Sequence, residues 1–89
     1  MALSPSQAFG RAVRELRVER ELSQEEAAFS SGIDRTYFGD IERAAKSPTL
    51  KTVWKIAEAL EVSPSKLLVR AEEILGRRPN PASASAKSP

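Results

Sequence analysis

The stretch "SQEEAAFSSGIDRTYFGDIER", residues 23–43, leaves this chain little conformational choice. Ser23 and Glu26 have the spacing of a capping box: the serine hydroxyl accepts from the amide three residues on, and the glutamate reaches back to the serine amide. A helix begun at Gln24 ends at Gly32, which suits the left-handed conformation that closes a helix. Ile33 alone then separates Gly32 from Asp34, a second capping residue. Two short helices, 24–31 and 34–43, are thus joined by only two residues. So tight a turn makes them cross steeply and needs a small residue where they touch. Ala28, one turn before Gly32, is placed for it. Ala27, Ala28 and Ser31 form the inner face of the first helix, and Phe38 with Ile41 that of the second.

The rest of the chain is punctuated in the same way. "SPSQ" at 4–7 offers Ser4 as cap, Pro5 at the first helical position and Gln7 as reciprocal partner. Phe9, Ala12, Val13 and Leu16 share one face of a helix running to about Glu21. "AAKSPT" at 44–49 is a loop. A fourth helix from Leu50 to Leu60 carries an apolar arc of Leu50, Val53, Trp54, Ile56, Ala57 and Leu60. "SPSK" at 63–66 caps a fifth helix, which bears Leu67, Leu68, Ala71, Ile74 and Leu75 and is closed by Gly76. No segment alternates with period two, so no strand is expected. The expected fold is all-α: a bundle of about five short helices forming one domain over residues 1–76. An 89-residue chain has no room for a second core. Residues 77–89, "RRPNPASASAKSP", have nothing to bury and read as a disordered basic tail.

Charge narrows the partners less than the formal +2 suggests. Arg77, Arg78 and Lys87 lie in the tail, which leaves 11 basic against 12 acidic residues elsewhere. Phosphate binding by the folded part therefore needs a local concentration of cations. One exists between residues 35 and 55, where Arg35, Arg43, Lys46, Lys51 and Lys55 face only Asp40 and Glu42. With no histidine, no cysteine, no glycine-rich phosphate loop and no carboxylate cluster of metal-ligand spacing, an enzyme is rejected. Neither cofactor nor metal is expected. "MALSPSQAFG" reads as no export signal, and no apolar run approaches the roughly 18 residues of a membrane span, so a cytoplasmic, nucleoid-associated protein is expected.

The paired short helices have the spacing of a helix-turn-helix, whose second helix enters the DNA major groove. Counting from Gln24, the small residue is fifth and glycine ninth, with Ile33, Phe38 and Ile41 at the tenth, fifteenth and eighteenth positions. With "SQEE" opening the motif, "IER" ending it and "SPTL" leading into an apolar helix, residues 22–62 resemble the Cro/phage-repressor family of helix-turn-helix domains. The "IDRTY…IER" core is similar, within that family, to the small controller proteins of restriction–modification systems. Ala27 and Ser31 are smaller than the family's usual core residues and Phe29 is bulkier, which raises the question of whether Phe29 folds back to fill the space.

With Phe38 and Ile41 inward, Arg35, Thr36, Gly39, Asp40 and Arg43 are expected to point mostly outward, with Tyr37 at the flank. Arg35 can pair with guanine, and Thr36 can meet a base edge or a thymine methyl. Tyr37, Gly39 and Asp40 complete the candidate base-reading set, with Gly39 letting the helix approach the bases closely. Gln24, Arg43, Lys46, Ser47, Thr49 and Lys51 are candidate phosphate contacts, near the starts of the second and fourth helices. The resemblance implies that Arg17 pairs with Glu42 as a structural brace. Leu68 and Leu75, with Trp54, are surplus apolar surface and the candidate interface of a two-fold homodimer. The favoured reading is a homodimeric, sequence-specific transcriptional regulator bound to double-stranded DNA at a pseudo-palindrome, with no small-molecule effector evident. Its rival is a protein-binding module, an antitoxin or coactivator on the same fold, which the −1 charge of the folded part leaves open.

Overall fold

The computed structural model describes residues 3–76, and the expected tail lies outside them. Five helices follow in order: α1 (Pro5–Glu19), α2 (Gln24–Ser31), α3 (Arg35–Glu42), α4 (Leu50–Ala59) and α5 (Pro64–Leu75). No strand occurs among the described residues.

The helices start where side chains can satisfy their free amides. Ser4 with Gln7, and Ser23 with Glu26, form complete capping boxes. Asp34, Thr49 and Ser63 cap α3, α4 and α5 through their side-chain oxygens. Gly32 closes α2 at φ 69°, and Gly76 closes α5 at φ 85°. α1 stops two residues before the expected Glu21, which sits in the left-handed region at φ 58° and turns the chain toward α2.

The core joins all five helices. Val13, Phe38, Ile41, Ile56, Leu60 and Leu67 are its largest fully buried side chains. α1 packs most extensively against α5 and also lies against α3. Arg70 of α5 clasps Glu15 and Glu19 of α1, each at 3.0 Å. The hydrogen bond to Glu19 holds the Arg70 guanidinium above its ordinary pKa, with Glu15 adding to it and partial burial opposing.

The apolar arc of α4 is narrower than its sequence suggests. Leu50 is 70% exposed and Trp54 is 55% exposed, while Thr52 is buried among the core residues. Thr52 tolerates that position because its hydroxyl shares a 2.9 Å hydrogen bond with the capping Thr49 hydroxyl. Phe29 does not fold back: it is 89% exposed, and the small Ala27 and Ser31 are simply buried. The Ser31 hydroxyl donates to the Ala28 carbonyl at 3.0 Å, which satisfies it inside the helix.

Candidate nucleic-acid interface

The α2–α3 turn fixes the site. The Ile33 amide donates back to the Ala28 carbonyl at 3.0 Å and closes α2 across Gly32. One residue later the Asp34 carboxylate accepts from the amides of Thr36 at 3.0 Å and Tyr37 at 3.3 Å. Ala28, buried at this crossing, lets the helices approach. α3 buries Phe38 and Ile41 and leaves Arg35 and Thr36 exposed at its N-terminal end. Among the described residues the side chains of Arg35 and Thr36 make no hydrogen bond or ion pair, so their donors are free for a ligand. Tyr37 is half-buried, with its ring against the core.

At its other end α3 is braced. The Arg17 Nε lies 2.7 Å from the Glu42 Oε2, and its Nη2 donates to Oε1 at 3.2 Å. The Arg17 side chain is 12% exposed and that of Glu42 only 4%. Arg17 also donates to the Leu22 carbonyl at 2.8 Å, tying the α1–α2 connection into the same network. Gln24 joins it, its side-chain amide donating to the Glu42 Oε1 at 2.8 Å. Gln24 is thus held at the start of α2 with its orientation set by Glu42, a link that spacing alone does not reveal.

Gly10 is a point of close approach between α1 and α3. A Cβ there would lie 2.5 Å from the Glu42 carbonyl oxygen and 2.6 Å from that of Ile41. The only signal in the sequence is a glycine in a helix interior, and its reason lies more than 30 residues away.

Two expectations on α3 are corrected. Gly39 is not a gap open to solvent: it is buried, and the space beside it is taken by neighbouring side chains. A Cβ there would be 3.1 Å from the Arg43 Nη1 and 3.6 Å from the Gln24 Oε1. Asp40 does not stand free on the outer face either. Its side chain is 16% exposed, and its oxygens face the Arg43 Nη2 at 2.6 Å and the Lys46 Nζ at 3.8 Å.

The remaining cations and hydroxyls surround the loop between α3 and α4. Arg43, Lys46, Ser47, Thr49 and Lys51 are exposed. The Ser47 hydroxyl shares a 2.8 Å hydrogen bond with Ser6 at the start of α1. Thr49 is occupied as the cap of α4, its hydroxyl accepting from the Thr52 amide at 3.1 Å. The expected dimer residues, by contrast, do not form one patch. Leu68 and half-buried Leu75 line a groove with Pro5, Ala8 and Phe9, whereas Trp54 lines another with Lys55, Glu58, Val62 and Pro64. They separate because α5 runs along α1, which draws its apolar side away from the outer edge of α4.

A three-residue turn, an eight-residue second helix braced at its C-terminal end and two free donors at its N-terminal end define a helix-turn-helix domain. The chain belongs to the helix-turn-helix family of Cro/phage-repressor type, whose family model, described as "Helix-turn-helix", matches residues 13–67. Among similar proteins, control protein C.BamHI of Bacillus amyloliquefaciens is 43% identical over 61 residues, covering 67% of this chain and 75% of its own. Control protein C.SmaI of Serratia marcescens is 47% identical over 58 residues, or 65% of this chain and 69% of its own. The crystal structure of the restriction–modification controller protein C.AhdI from Aeromonas hydrophila superposes with a TM-score of 0.68. It is 44% identical and spans 70% of this chain and 94% of that one.

Proposed function

We propose that this protein is a sequence-specific DNA-binding transcriptional regulator that acts as a homodimer, and that it serves as the controller of a restriction–modification system. The observation that carries the DNA-binding reading is the exposed, unengaged pair Arg35 and Thr36 at the start of a braced α3. The controller assignment draws its support from relatives named as control proteins and from the controller structure.

In this reading α3 lies in the major groove with its N-terminal end toward the bases. Arg35 donates two hydrogen bonds to a guanine, and Thr36 meets the neighbouring base. Tyr37, held by the core, offers its rim to the sugar–phosphate edge or to a thymine methyl. Gln24, oriented by Glu42, presents α2's first turn to a phosphate. Lys46, Ser47 and Lys51 contact the backbone around the start of α4, with the amide-rich end capped by Thr49 among them. These contacts fix the register without reading sequence. The protein works in the cytoplasm, on the nucleoid; no helix among the described residues is long and apolar enough to cross a membrane.

Dimerisation places two reading helices about 34 Å apart, one on each half of a pseudo-palindrome. Two exposed apolar areas are candidates for the surface: Leu50 and Trp54, one turn apart on α4, and Leu68 with Val69 on α5.

Footprinting on the DNA upstream of the protein's own gene, followed by base-by-base substitution of the protected site, tests the reading. Arg35→Ala is expected to lose about 1–3 kcal/mol of discrimination at one base pair in each half-site. Unchanged base preferences would remove Arg35 from the reading set. Sedimentation of Trp54→Glu and Leu68→Glu addresses the dimer: if both sediment as the wild type does, neither area is the interface.

A further inference from the structure

Asp40 sits where a DNA-reading domain gains nothing obvious from an acid. It lies on α3 between the base-reading end and the phosphate-contacting loop, yet its carboxylate is turned in and only 16% exposed. Arg43 and Lys46, two of the cations best placed for phosphate, both point at it. Neither cation is buried: their side chains are 64% and 63% exposed, so water alone would satisfy them. Gly39 supplies the other half of the arrangement. With no Cβ it leaves room for the Arg43 guanidinium to lie across the helix, where an alanine methyl would come within 3.1 Å of Nη1. The backbone holds the geometry independently, because the Asp40 carbonyl accepts from the amides of Ala45 at 2.7 Å and Lys46 at 3.3 Å. The loop that carries the cations is therefore folded back onto the residue that neutralises one of them.

We infer that Asp40 is a built-in competitor of the DNA phosphate. It holds Arg43 and Lys46 in the free protein and so weakens binding to the DNA backbone regardless of sequence. Asp40 is a positioning residue acting through these two cations, and the inference rests on the DNA-binding function proposed above. A carboxylate and a phosphate oxygen offer a guanidinium or ammonium the same charge-assisted hydrogen bond. Each phosphate contact by Arg43 or Lys46 must therefore displace Asp40, and the trio presents one net positive charge to DNA instead of two.

The test uses the full chain and a fluorescent 25-base-pair duplex of random sequence, with affinity measured by anisotropy across a salt series. Asp40→Asn keeps the helix and the backbone bonds while removing the charge. One more effective cation per subunit steepens the slope of log affinity against log salt by about 0.9, or about 1.8 for a dimer. The advantage of the variant over the wild type then grows about tenfold between 0.2 M and 0.05 M salt. Asp40→Glu, which preserves the charge at this position, is expected to restore the wild-type slope. A structural role alone would move the thermal midpoint and leave the slope unchanged. Base preferences, measured by selection from a random duplex library, are expected to be the same for Asp40→Asn and wild type. An unchanged slope, or a changed preference at one base position, overturns the inference; the second result would make Asp40 a base reader. Failure of the wild type to bind any duplex would instead bring down the DNA-binding function itself.

Discussion

Two glycines lie inside helices, and the structure assigns them opposite consequences. Gly10 in α1 faces rigid backbone: an added Cβ would be 2.5 Å from the Glu42 carbonyl oxygen, 2.6 Å from that of Ile41 and 3.0 Å from the Glu42 carbonyl carbon. Gly39 in α3 faces only the far ends of flexible side chains, the nearer being the Arg43 Nη1 at 3.1 Å. Alanine gains about 1 kcal/mol of helix propensity over glycine at either place. At Gly10 that gain is set against overpacking, which costs typically about 1–3 kcal/mol. The backbone carbonyls cannot rotate away, so the upper end applies and the net loss is about 2 kcal/mol. For a domain of this size, 1 kcal/mol moves the melting temperature by about 4–8 °C. Gly10→Ala is therefore expected to melt about 8–16 °C below the wild type. At Gly39 the guanidinium can shift by a few tenths of an ångström, so most of the propensity gain survives and Gly39→Ala is expected to melt a few degrees higher. Thermal unfolding followed by circular dichroism at 222 nm measures both. A Gly10→Ala variant as stable as the wild type would refute the close α1–α3 approach, and a strongly destabilised Gly39→Ala would show that the Arg43 side chain is not free to move.

Other perturbations follow from the same geometry. Glu42→Gln leaves the part-buried Arg17 with the Leu22 carbonyl as its remaining strong partner, and is expected to cost about 3 kcal/mol in urea denaturation. A loss within about 0.5 kcal/mol, the range of ordinary surface substitutions, would reduce the pair to a bystander. Ala44 sits at φ 63°, a conformation that L-residues adopt at a cost, so Ala44→Gly should stabilise the fold by about 0.5–1 kcal/mol, read from the same urea transition. Arg70→Met removes both α1–α5 ion pairs; their carboxylates are half-exposed, so the expected loss is about 0.5–1 kcal/mol and shrinks in 1 M salt. A loss independent of salt would mean that the side chain stabilises by packing.

What the sequence made legible is what local chemistry decides. The starts of α1, α2, α3 and α5 are readable because a capping residue satisfies amides two or three positions away, and the stops at Gly32 and Gly76 because only the conformation of one residue is involved. The cap of α4, Thr49, is not recognised as one in the sequence, where it is expected only as a phosphate contact. The turn between α2 and α3 belongs to the same class. The features that sequence hid depend on partners elsewhere in the chain. Leu50 looks like core in the arc of α4, and its exposure is set by where α2 and α5 pack, whereas Trp54 is exposed as its reading as surplus apolar surface expects. Asp40 and Gly39 have outward positions on a helical wheel, but Arg43, Lys46 and Gln24 fold over them. A wheel records directions from a helix axis and says nothing of what the next loop lays on top. Within the candidate site, the exposure of Arg35 and Thr36 at the start of α3 is the legible part, since among the described residues no side chain bonds over them.

The way α3 is held bears on how DNA binding depends on folding. An isolated helix of eight residues is marginal in water, since helices shorter than about 12–15 residues do not hold themselves. α3 therefore takes its order from outside: Asp34 at its start, the buried Phe38 and Ile41 along its length, and Arg17, Gln24 and the Gly10 contact at its end. Three of these six supports come from α1 or α2, so α3 is no stiffer than its attachment to those helices. A mutation in α1 that touches no DNA, such as Gly10→Ala, should then weaken operator binding as well as stability. If Arg35 reads bases as proposed, the effect should reach specific affinity more than random-sequence affinity, because a base contact requires a fixed side chain whereas phosphate contacts tolerate a looser one. Measuring both affinities for Gly10→Ala, at a temperature where it remains folded, decides the point. Equal losses on both duplexes would mean that the braces serve stability alone, and a loss confined to the operator would mean that they also set the precision with which α3 reads sequence.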